Sequence, residues 1–213
     1  MDGVRVEALR DVSLAVAPGE FVAIIGPSGS GKSTMMNIIG CLDRPSAGAY
    51  RLAGMPVAEL SDDGLARLRS RTIGFVFQSY NLLPRTTALE NVATPLLYQG
   101  VGRRERTKRA TAALERLGLG DRLHHEPNQL SGGQQQRVAV ARAIVTDPAL
   151  ILADEPTGNL DTASGRDVLA VLRELHSTGR TIVLITHNAE VATAATRQVH
   201  IRDGQLTDGW MAA

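Results

Sequence analysis

The nine residues from Gly26 to Thr34 most constrain what this chain can fold into. They read Gly-Pro-Ser-Gly-Ser-Gly-Lys-Ser-Thr, which fits the phosphate-loop pattern of a glycine, four residues and then Gly-Lys-Ser. The apolar, β-branched run Phe21–Ile25 precedes them and predicts a buried strand, while apolar residues from Met35 to Leu42 recur at helical spacing. The glycines therefore lie where a buried strand turns into a helix, which is the context that a phosphate loop requires.

This context gives the loop its chemistry. Glycines let successive backbone N–H groups turn toward an anion, and the positive end of the helix dipole adds to the same spot. We expect Lys32 to reach the β- and γ-phosphates and the Ser33 hydroxyl to hold Mg²⁺. The sequence therefore predicts that the chain binds a nucleoside triphosphate. The residues expected to contact it here are Gly26, Pro27, Ser28, Gly29, Ser30, Gly31, Lys32, Ser33 and Thr34.

The second half of the chain alternates strands with helices. Strands are predicted at Ala149–Ala153, Thr181–Thr186 and Gln198–Ile201, with helices at Thr162–His176 and near Asn188–Ala194 between them. Such alternation predicts an α/β fold, in which helices cover both faces of a mostly parallel sheet.

The first half adds a small layer and one more strand. The runs Val4–Leu9, Val12–Ala17 and Ala49–Ala53 predict a small antiparallel β layer. Ser61 predicts the start of a helix, and Ile73–Phe77 predicts a short strand.

A helical block then interrupts the strands. Helices are predicted at Ala88–Tyr98 and Arg103–Leu117, and a third follows Ser131-Gly132-Gly133. We predict an inserted helical subdomain at about 85–146 within one domain that spans 1–213. Its core would comprise residues 1–84 and 147–213.

Composition and charge limit the possible partners. The formal net charge of +1 gives no reason to expect broad nucleic-acid binding. One cysteine, Cys41, cannot form an internal disulfide and is predicted to be a small buried hydrophobe. The first residues lack the apolar core of a signal peptide, and no stretch approaches ~18 uninterrupted apolar residues. We expect any membrane role to come through a partner.

Polar side chains follow three of the predicted strands. Asp154 and Glu155 follow one strand, Gln78 a second and His187 a third. The carboxyl ends of parallel strands meet at one crevice, so these groups are expected beside the phosphate loop. We expect Asp154 to hold Mg²⁺ through water, and Glu155 to act as the base that polarises the attacking water. His187 is expected at the γ-phosphate, and Gln78 as a metal ligand or water-positioning amide. The alternative for the acidic pair is a solvated helix cap.

A second anion-binding device lies in the helical block. Ser131 is a candidate N-cap, and Gly132 and Gly133, before Gln134, expose N–H groups at a positive helix end. One chain has one phosphate loop, so this second cradle needs either another ligand or another subunit. We favour two copies that face each other head to tail, each Ser131 helix closing over the partner's ATP. An ordinary capped helix is the alternative.

The stretch LSGGQQQR at Leu130–Arg137, with the motifs above and Asp161, resembles the ATP-binding subunit of ABC transporters over essentially the whole chain. The resemblance implies a homodimer with ATP and Mg²⁺ between two cassettes and Asp161 at the dimer seam. It also implies an integral membrane permease as partner, no nucleic acid, and a cytoplasmic position on the inner face of the membrane. The residues implied on the opposing nucleotide are Ser131, Gly132, Gly133 and Gln134.

Three stretches, 36–48, 74–84 and 153–161, resemble the lipoprotein-release and macrolide-export group. Cell-division ABC ATPases are close relatives, so regulation of an extracellular partner without transport is the alternative function. DNA-repair relatives need a long coiled coil that this chain lacks, and translation-factor relatives carry two cassettes. The resemblance also places the loop Ser79–Arg85 against the permease. The basic run Arg103–Arg109 is either a solvated helix face or a contact with anionic lipid.

One departure from the family pattern concerns adenine. The family usually stacks adenine on an aromatic side chain ahead of the first core strands. Here the only aromatic residue before the phosphate loop is Phe21, inside a predicted strand. Either the chain continues upstream, or adenine rests on aliphatic residues such as Val4 or Val6, at a cost of about 1 kcal/mol in binding.

Overall fold

The computed structural model describes residues 7–207, which contain one six-stranded sheet, one two-stranded sheet and the helices around them. The strands in chain order are β1 (Phe21–Ile25), β2 (Arg51–Leu52), β3 (Met55–Pro56), β4 (Ile73–Phe77), β5 (Leu150–Asp154), β6 (Thr181–Thr186), β7 (Arg197–Arg202) and β8 (Gln205–Thr207). The α-helices are α1 (Lys32–Ile39), α2 (Asp62–Thr72), α3 (Ala88–Tyr98), α4 (Arg103–Arg116), α5 (Gly132–Ile144), α6 (Thr162–Ser177) and α7 (Ala189–Ala192).

The large sheet has the strand order β4-β5-β6-β1-β7-β8, and only β8 runs antiparallel to its neighbour. This confirms the predicted α/β fold with a mostly parallel sheet. Ile25 pairs in register with Thr186, and Asp154 pairs with Ile185 and with Phe77. Four strands therefore end within one residue of each other, so the segments that follow them leave the sheet at the same edge.

Helices pack on both faces of the sheet, and the strand β1 near its centre is therefore buried on both sides. All five residues of β1 are buried. Phe21, Ala23 and Ile25 belong to an apolar cluster that also contains Leu96 of α3 and Leu114 of α4. Ile24 belongs to a second cluster, with residues of α1 and α2. The division into a core and a helical subdomain stays a prediction, since one apolar cluster contains residues of both.

The antiparallel layer differs from its prediction. Of Ala49–Ala53, only Arg51–Leu52 forms a strand, and it pairs with β3, which the sequence analysis missed. The prediction of a strand at Val12–Ala17 is wrong, because this segment forms no ladder within residues 7–207. Its alternate side chains Val12, Leu14 and Val16 do pack on the core, so the alternation reported burial rather than backbone pairing.

Two other predictions cannot be followed in full. Val4–Leu9 begins outside the described residues, and its last three residues are not in a strand. The proposed adenine platform at Val4 or Val6 lies outside the described residues altogether.

No helix of residues 7–207 is both long and apolar enough to cross a membrane.

Gly74 of β4 keeps α5 close to the sheet, because a Cβ at this position would lie 2.1 Å from the carbonyl oxygen of Ala143 in α5. We expect Gly74→Ala to lower the free energy of unfolding by at least the ~1–3 kcal/mol typical of overpacking, since the backbone must move. The measurement is urea denaturation followed by circular dichroism.

The matched control is Gly165→Ala in α6, where the added Cβ would meet only Thr157, at 3.6 Å. This substitution is expected to be neutral or stabilising, because alanine favours a helix by about 1 kcal/mol over glycine. Equal urea midpoints for Gly74→Ala and the unsubstituted chain would contradict the packing argument.

Candidate active site

The phosphate loop that follows β1 contains two positions where only glycine fits, Gly26 and Gly31. A Cβ on Gly26 would lie 2.2 Å from the carbonyl oxygen of Ile201 and 2.7 Å from Oγ of Ser30. Gly31 has a φ of +101°, and a Cβ there would lie 2.5 Å from the carbonyl oxygen of Ala8. The loop thus folds tightly because these two positions carry no side chain.

The start of α1 is built to receive an anion. No side chain caps this helix, and its first turn holds no acidic residue, so its positive dipole end is not compensated. Lys32 Nζ donates to the carbonyl oxygens of Gly26 and Pro27, both at 2.7 Å, which places the ammonium group across the loop. The buried hydroxyl of Ser30 finds no hydrogen-bond partner within residues 7–207. These features fit a phosphate chain.

The donor set beside the loop also fits Mg²⁺, which prefers hard oxygen ligands and keeps several waters. Ser33 lies in the first turn of α1, and the half-buried Asp154 ends β5. Burial and the neighbouring Glu155 raise the pKa of Asp154, while Lys32 lowers it. A bound cation would favour the ionised form of this carboxyl group.

Glu155 directly follows β5, and hydrogen bonds hold it against the end of the neighbouring strand β6. Its φ of +43° lies in the left-handed region, and its N–H donates to the carbonyl oxygen of Ile185 at 2.8 Å. One carboxylate oxygen accepts from the backbone N–H of His187 at 2.8 Å and lies 2.6 Å from Nδ1 of the same residue. The other accepts from the Thr186 hydroxyl at 2.9 Å. The structure therefore brings together Glu155 and His187, two predicted catalytic residues.

The imidazole of His187 is the accessible member of this pair. Its side chain is 66% exposed, whereas that of Glu155 is 15% exposed. When Nδ1 carries the proton and donates to the carboxylate, Nε2 is the ring nitrogen left for a ligand. The pair can therefore orient a water molecule through the carboxylate, and with the ring doubly protonated it can also donate to an anion through Nε2.

Thr186 was missed by the sequence analysis. It is fully buried, and besides donating to Glu155 its hydroxyl accepts from the N–H of Asn188 at 3.0 Å. Its place between an apolar strand and His187 was a signal, but a β-branched residue there also suits a strand.

Gln78 lies against the segment that follows Glu155. Its side-chain nitrogen donates to Oδ1 of Asn159 at 3.1 Å, and Nδ2 of Asn159 donates back to the Gln78 carbonyl oxygen at 3.2 Å. A Cβ on Gly158 would lie 2.7 Å from the same Gln78 nitrogen. The role of Asn159 was missed, and the expectation that Gln78 ligates the metal stays a prediction.

Ser131 caps α5, as predicted. Its hydroxyl accepts from the N–H of Gln134 at 3.3 Å, and Gln134 Oε1 accepts from the N–H of Ser131 at 2.9 Å. A Cβ on Gly132 would lie 2.9 Å from the Tyr80 hydroxyl, and one on Gly133 would lie 2.8 Å from another hydroxyl, that of α6 residue Ser164. Within residues 7–207, no hydrogen bond joins 131–134 to the phosphate loop.

Asp161 caps α6. One carboxylate oxygen accepts from the N–H groups of Ala163 and Ser164, both at 3.0 Å, and the other accepts from the Ser164 hydroxyl at 2.7 Å. These hydrogen bonds, those of Ser164 foremost, lower the pKa of Asp161. Its expected place at a dimer seam stays a prediction.

Phe21 and Cys41 both have structural roles. Phe21 is fully buried and meets His176 edge to face, with ring centroids 5.6 Å apart, so it is not a platform for adenine. Cys41 is buried, as expected, and burial raises the pKa of its thiol.

The model of the ABC transporter family matches residues 9–158 of this chain. An ABC transporter ATP-binding protein of Thermotoga maritima is 61% identical, over 95% of this chain and 87% of that protein. The macrolide export ATP-binding/permease protein MacB of Rhodospirillum rubrum is 60% identical, over 96% of this chain and 32% of its own length. The pyoverdine export ATP-binding/permease protein PvdT of Pseudomonas entomophila is 58% identical, over 97% of this chain and 32% of its own length. The chain thus spans about a third of the length of these two export proteins.

Two solved structures of an ABC transporter cassette are also similar to this chain. The ATP-binding cassette MJ0796, in a dimeric post-hydrolysis state bound to ADP and Pi, superposes with a TM-score of 0.86 and 47% identity. The match covers 94% of this chain and 89% of that one. A second dimeric structure of the same bacterial ABC transporter cassette matches equally well.

The cap at Asp161 predicts a pH effect on stability. Because the folded-state pKa is lowered, the stabilising effect is complete above the ordinary carboxyl pKa and is lost as pH falls through the lower folded value. We expect Asp161→Asn, which keeps an acceptor for the cap, to show a smaller loss of stability on acidification. The measurement is the urea midpoint from neutral to acidic pH.

Asp203→Asn, on the exposed turn between β7 and β8, is the control and should leave the acid-side slope unchanged. An unchanged slope for Asp161→Asn would show that the cap contributes nothing to the pH dependence.

Proposed function

Since the chain belongs to the ABC transporter family, we propose that it is the ATP-hydrolysing subunit of a transporter and that two copies close around ATP to drive a permease. The chain is an ATPase that binds ATP with Mg²⁺. The dimer, the permease and the roles of individual residues are the proposed part.

The separation of two anion-binding devices carries this proposal. The phosphate loop, Glu155 and His187 lie at the ends of adjacent strands, whereas the Ser131 cap begins a helix of the helical block. No hydrogen bond joins 131–134 to the phosphate loop within the described residues. A second copy placed head to tail supplies an anion to each Ser131 cap, and the dimeric arrangement of the cassette MJ0796 supports such a pairing.

Each residue at the strand ends has a role in this scheme. Lys32 and the N–H groups of the phosphate loop bind the phosphates, and bound Mg²⁺ would neutralise charge as the γ-phosphate leaves. Glu155 orients and polarises the attacking water, with its carboxylate held by Thr186 and His187. His187, with its ring doubly protonated, donates to the γ-phosphate through Nε2.

The names of the export proteins MacB and PvdT join an ATP-binding part to a permease. We infer that this chain works with an integral membrane permease of the lipoprotein-release or macrolide-export type, from the cytoplasmic face of the membrane. The loop Ser79–Arg85 is the proposed contact. Its Leu83 is 46% exposed, and buried Asn91 of α3 holds the loop by bonding to the N–H and carbonyl groups of Leu83.

The first test of the dimer is Glu155→Gln. The substitution removes the base but keeps an acceptor of similar shape, so ATP should bind and stay unhydrolysed. We expect a stable dimer at saturating ATP and Mg²⁺ in size-exclusion chromatography with light scattering, and turnover at least ~100-fold below that of the unsubstituted chain.

Two variants complete this test. Glu174→Gln, at an exposed ion pair with Arg116, should behave like the unsubstituted chain. Adding Ser131→Arg to Glu155→Gln should leave ATP binding intact but prevent the dimer, because a bulky cation replaces the cap. A Glu155→Gln chain that stays monomeric at saturating ATP, or a dimer that survives Ser131→Arg, would contradict the facing arrangement.

The permease is tested by co-purification. The tagged chain is isolated from detergent-solubilised membranes of its own cell and should retain an integral membrane protein of the export type. Leu83→Asp should release this membrane protein without changing the ATPase activity of the chain in solution. Retention of a membrane protein with no ATP-driven cargo movement in proteoliposomes would favour the regulatory alternative. No retained membrane protein would contradict the transporter proposal.

A further inference from the structure

Gln136 is a buried amide in the second turn of α5. It is fully buried, and its side-chain nitrogen donates to the carbonyl oxygen of Pro156 at 2.6 Å and to that of Phe77 at 3.3 Å. Its side-chain oxygen finds no hydrogen-bond partner within residues 7–207. The stability of the core does not explain this residue, because a buried unpaired acceptor destabilises the folded state.

The two carbonyl groups that Gln136 holds belong to the two loops of the candidate active site. Phe77 ends β4 directly before Gln78, and Pro156 directly follows Glu155. One amide nitrogen therefore joins α5 to the segments that carry the water-orienting carboxylate and the amide proposed for the metal.

The same helix is held to the loop after Gln78 at a second point. The Arg142 guanidinium donates to the carbonyl oxygens of Tyr80 and Asn81. Both of these residues have a left-handed φ, +59° and +48°, which a flexible loop would rarely keep. With Gln136 near its start and Arg142 near its end, α5 cannot shift without moving the loops of its own active site.

The start of α5 carries the Ser131 cap. Ser131 lies five residues before Gln136, and under the proposed function it faces the ATP bound by the partner copy. Each chain would then contribute to two ATP sites, with its strand ends to one and with the Ser131 cap to the other. The hydrogen bonds of Gln136 connect these two contributions within one chain.

We propose that Gln136 is a positioning residue that couples the two ATP sites of the dimer. It holds the Ser131 cap at a set distance from Glu155 and Gln78 of the same chain, so that ordering one site orders the half-site offered to the other. This proposal rests on the proposed function. It predicts positive cooperativity in ATP that depends on the amide nitrogen of Gln136.

The test compares Gln136→Leu with Gln135→Leu in the full chain. Leucine replaces the amide with an apolar side chain of similar size. The neighbouring Gln135 donates only to the Leu130 carbonyl oxygen of its own segment, at 3.0 Å, which makes it a matched control. The measurements are the Hill coefficient and kcat from ATPase rates against ATP concentration, the affinity of the monomer for a fluorescent ATP analogue, and the urea midpoint.

We expect Gln136→Leu to fold with a urea midpoint that changes little, because the loss of two hydrogen bonds opposes the removal of a buried unpaired acceptor, and to bind the analogue within about twofold of the unsubstituted chain. Its Hill coefficient should fall toward 1 and its kcat by about tenfold, within the range of typical coupling between sites. In a Glu155→Gln background it should need about tenfold more ATP to dimerise. Gln135→Leu should match the unsubstituted chain in all of these.

The outcomes separate this inference from the proposed function. Unchanged cooperativity and kcat in Gln136→Leu would overturn the coupling role, and so would equal losses in Gln135→Leu. Should Gln136→Leu fail to fold, Gln136→Met carries the same test, because its unbranched side chain adapts to the cavity. If the Glu155→Gln chain with Gln136 intact shows no ATP-dependent dimer, the proposed function fails first.

Discussion

The parallel register of four neighbouring strands is the constraint on which the candidate active site depends. Phe77, Asp154, Thr186 and Ile25 end β4, β5, β6 and β1, and their Cα partners in the sheet lie within one residue of one another. Since hydrogen bonding fixes this alignment along the whole sheet, the phosphate loop and the residues that follow each strand meet without long connecting loops. The buried β1 in particular cannot slip by one residue without exchanging the apolar residues of its two faces.

The same register explains how a strained backbone is kept at Glu155. A non-glycine residue in the left-handed region costs on the order of 1–3 kcal/mol unless its surroundings hold it there. Here the N–H of Glu155 bonds to Ile185, and its two carboxylate oxygens accept from Thr186 and His187. All three partners lie at the end of β6, so the strand next to β5 holds the carboxylate that β5 delivers. A base that is already fixed in place loses little freedom when it meets its substrate.

Much of the fold and the central part of the site could be predicted because their signals are local. Hydrophobic periodicity places the strands, and a strand that ends in Asp154-Glu155 predicts chemistry at the sheet edge. The contacts of Gln136 could not be predicted, because the carbonyl group that it binds at Pro156 lies 20 positions away and glutamine is usually solvated. The segment Val12–Ala17 shows the opposite error, since alternation reports which side chains are buried and says nothing about whether a partner strand is present.

The geometry at the start of α5 also decides which groups are left for a ligand. In the capping box, the N–H groups of Ser131 and Gln134 bond to each other's side chains, and that of Gln135 bonds to the Ser131 carbonyl oxygen. Within residues 7–207, the N–H groups of Gly132 and Gly133 have no acceptor. The Cβ directions of both glycines point at side chains of the same chain, those of Tyr80 and Ser164. Packing within the chain is therefore enough to require glycine at positions 132 and 133. Two N–H groups at the positive end of a helix match one phosphate, and in the proposed dimer the ATP of the partner copy would supply an acceptor of the right charge.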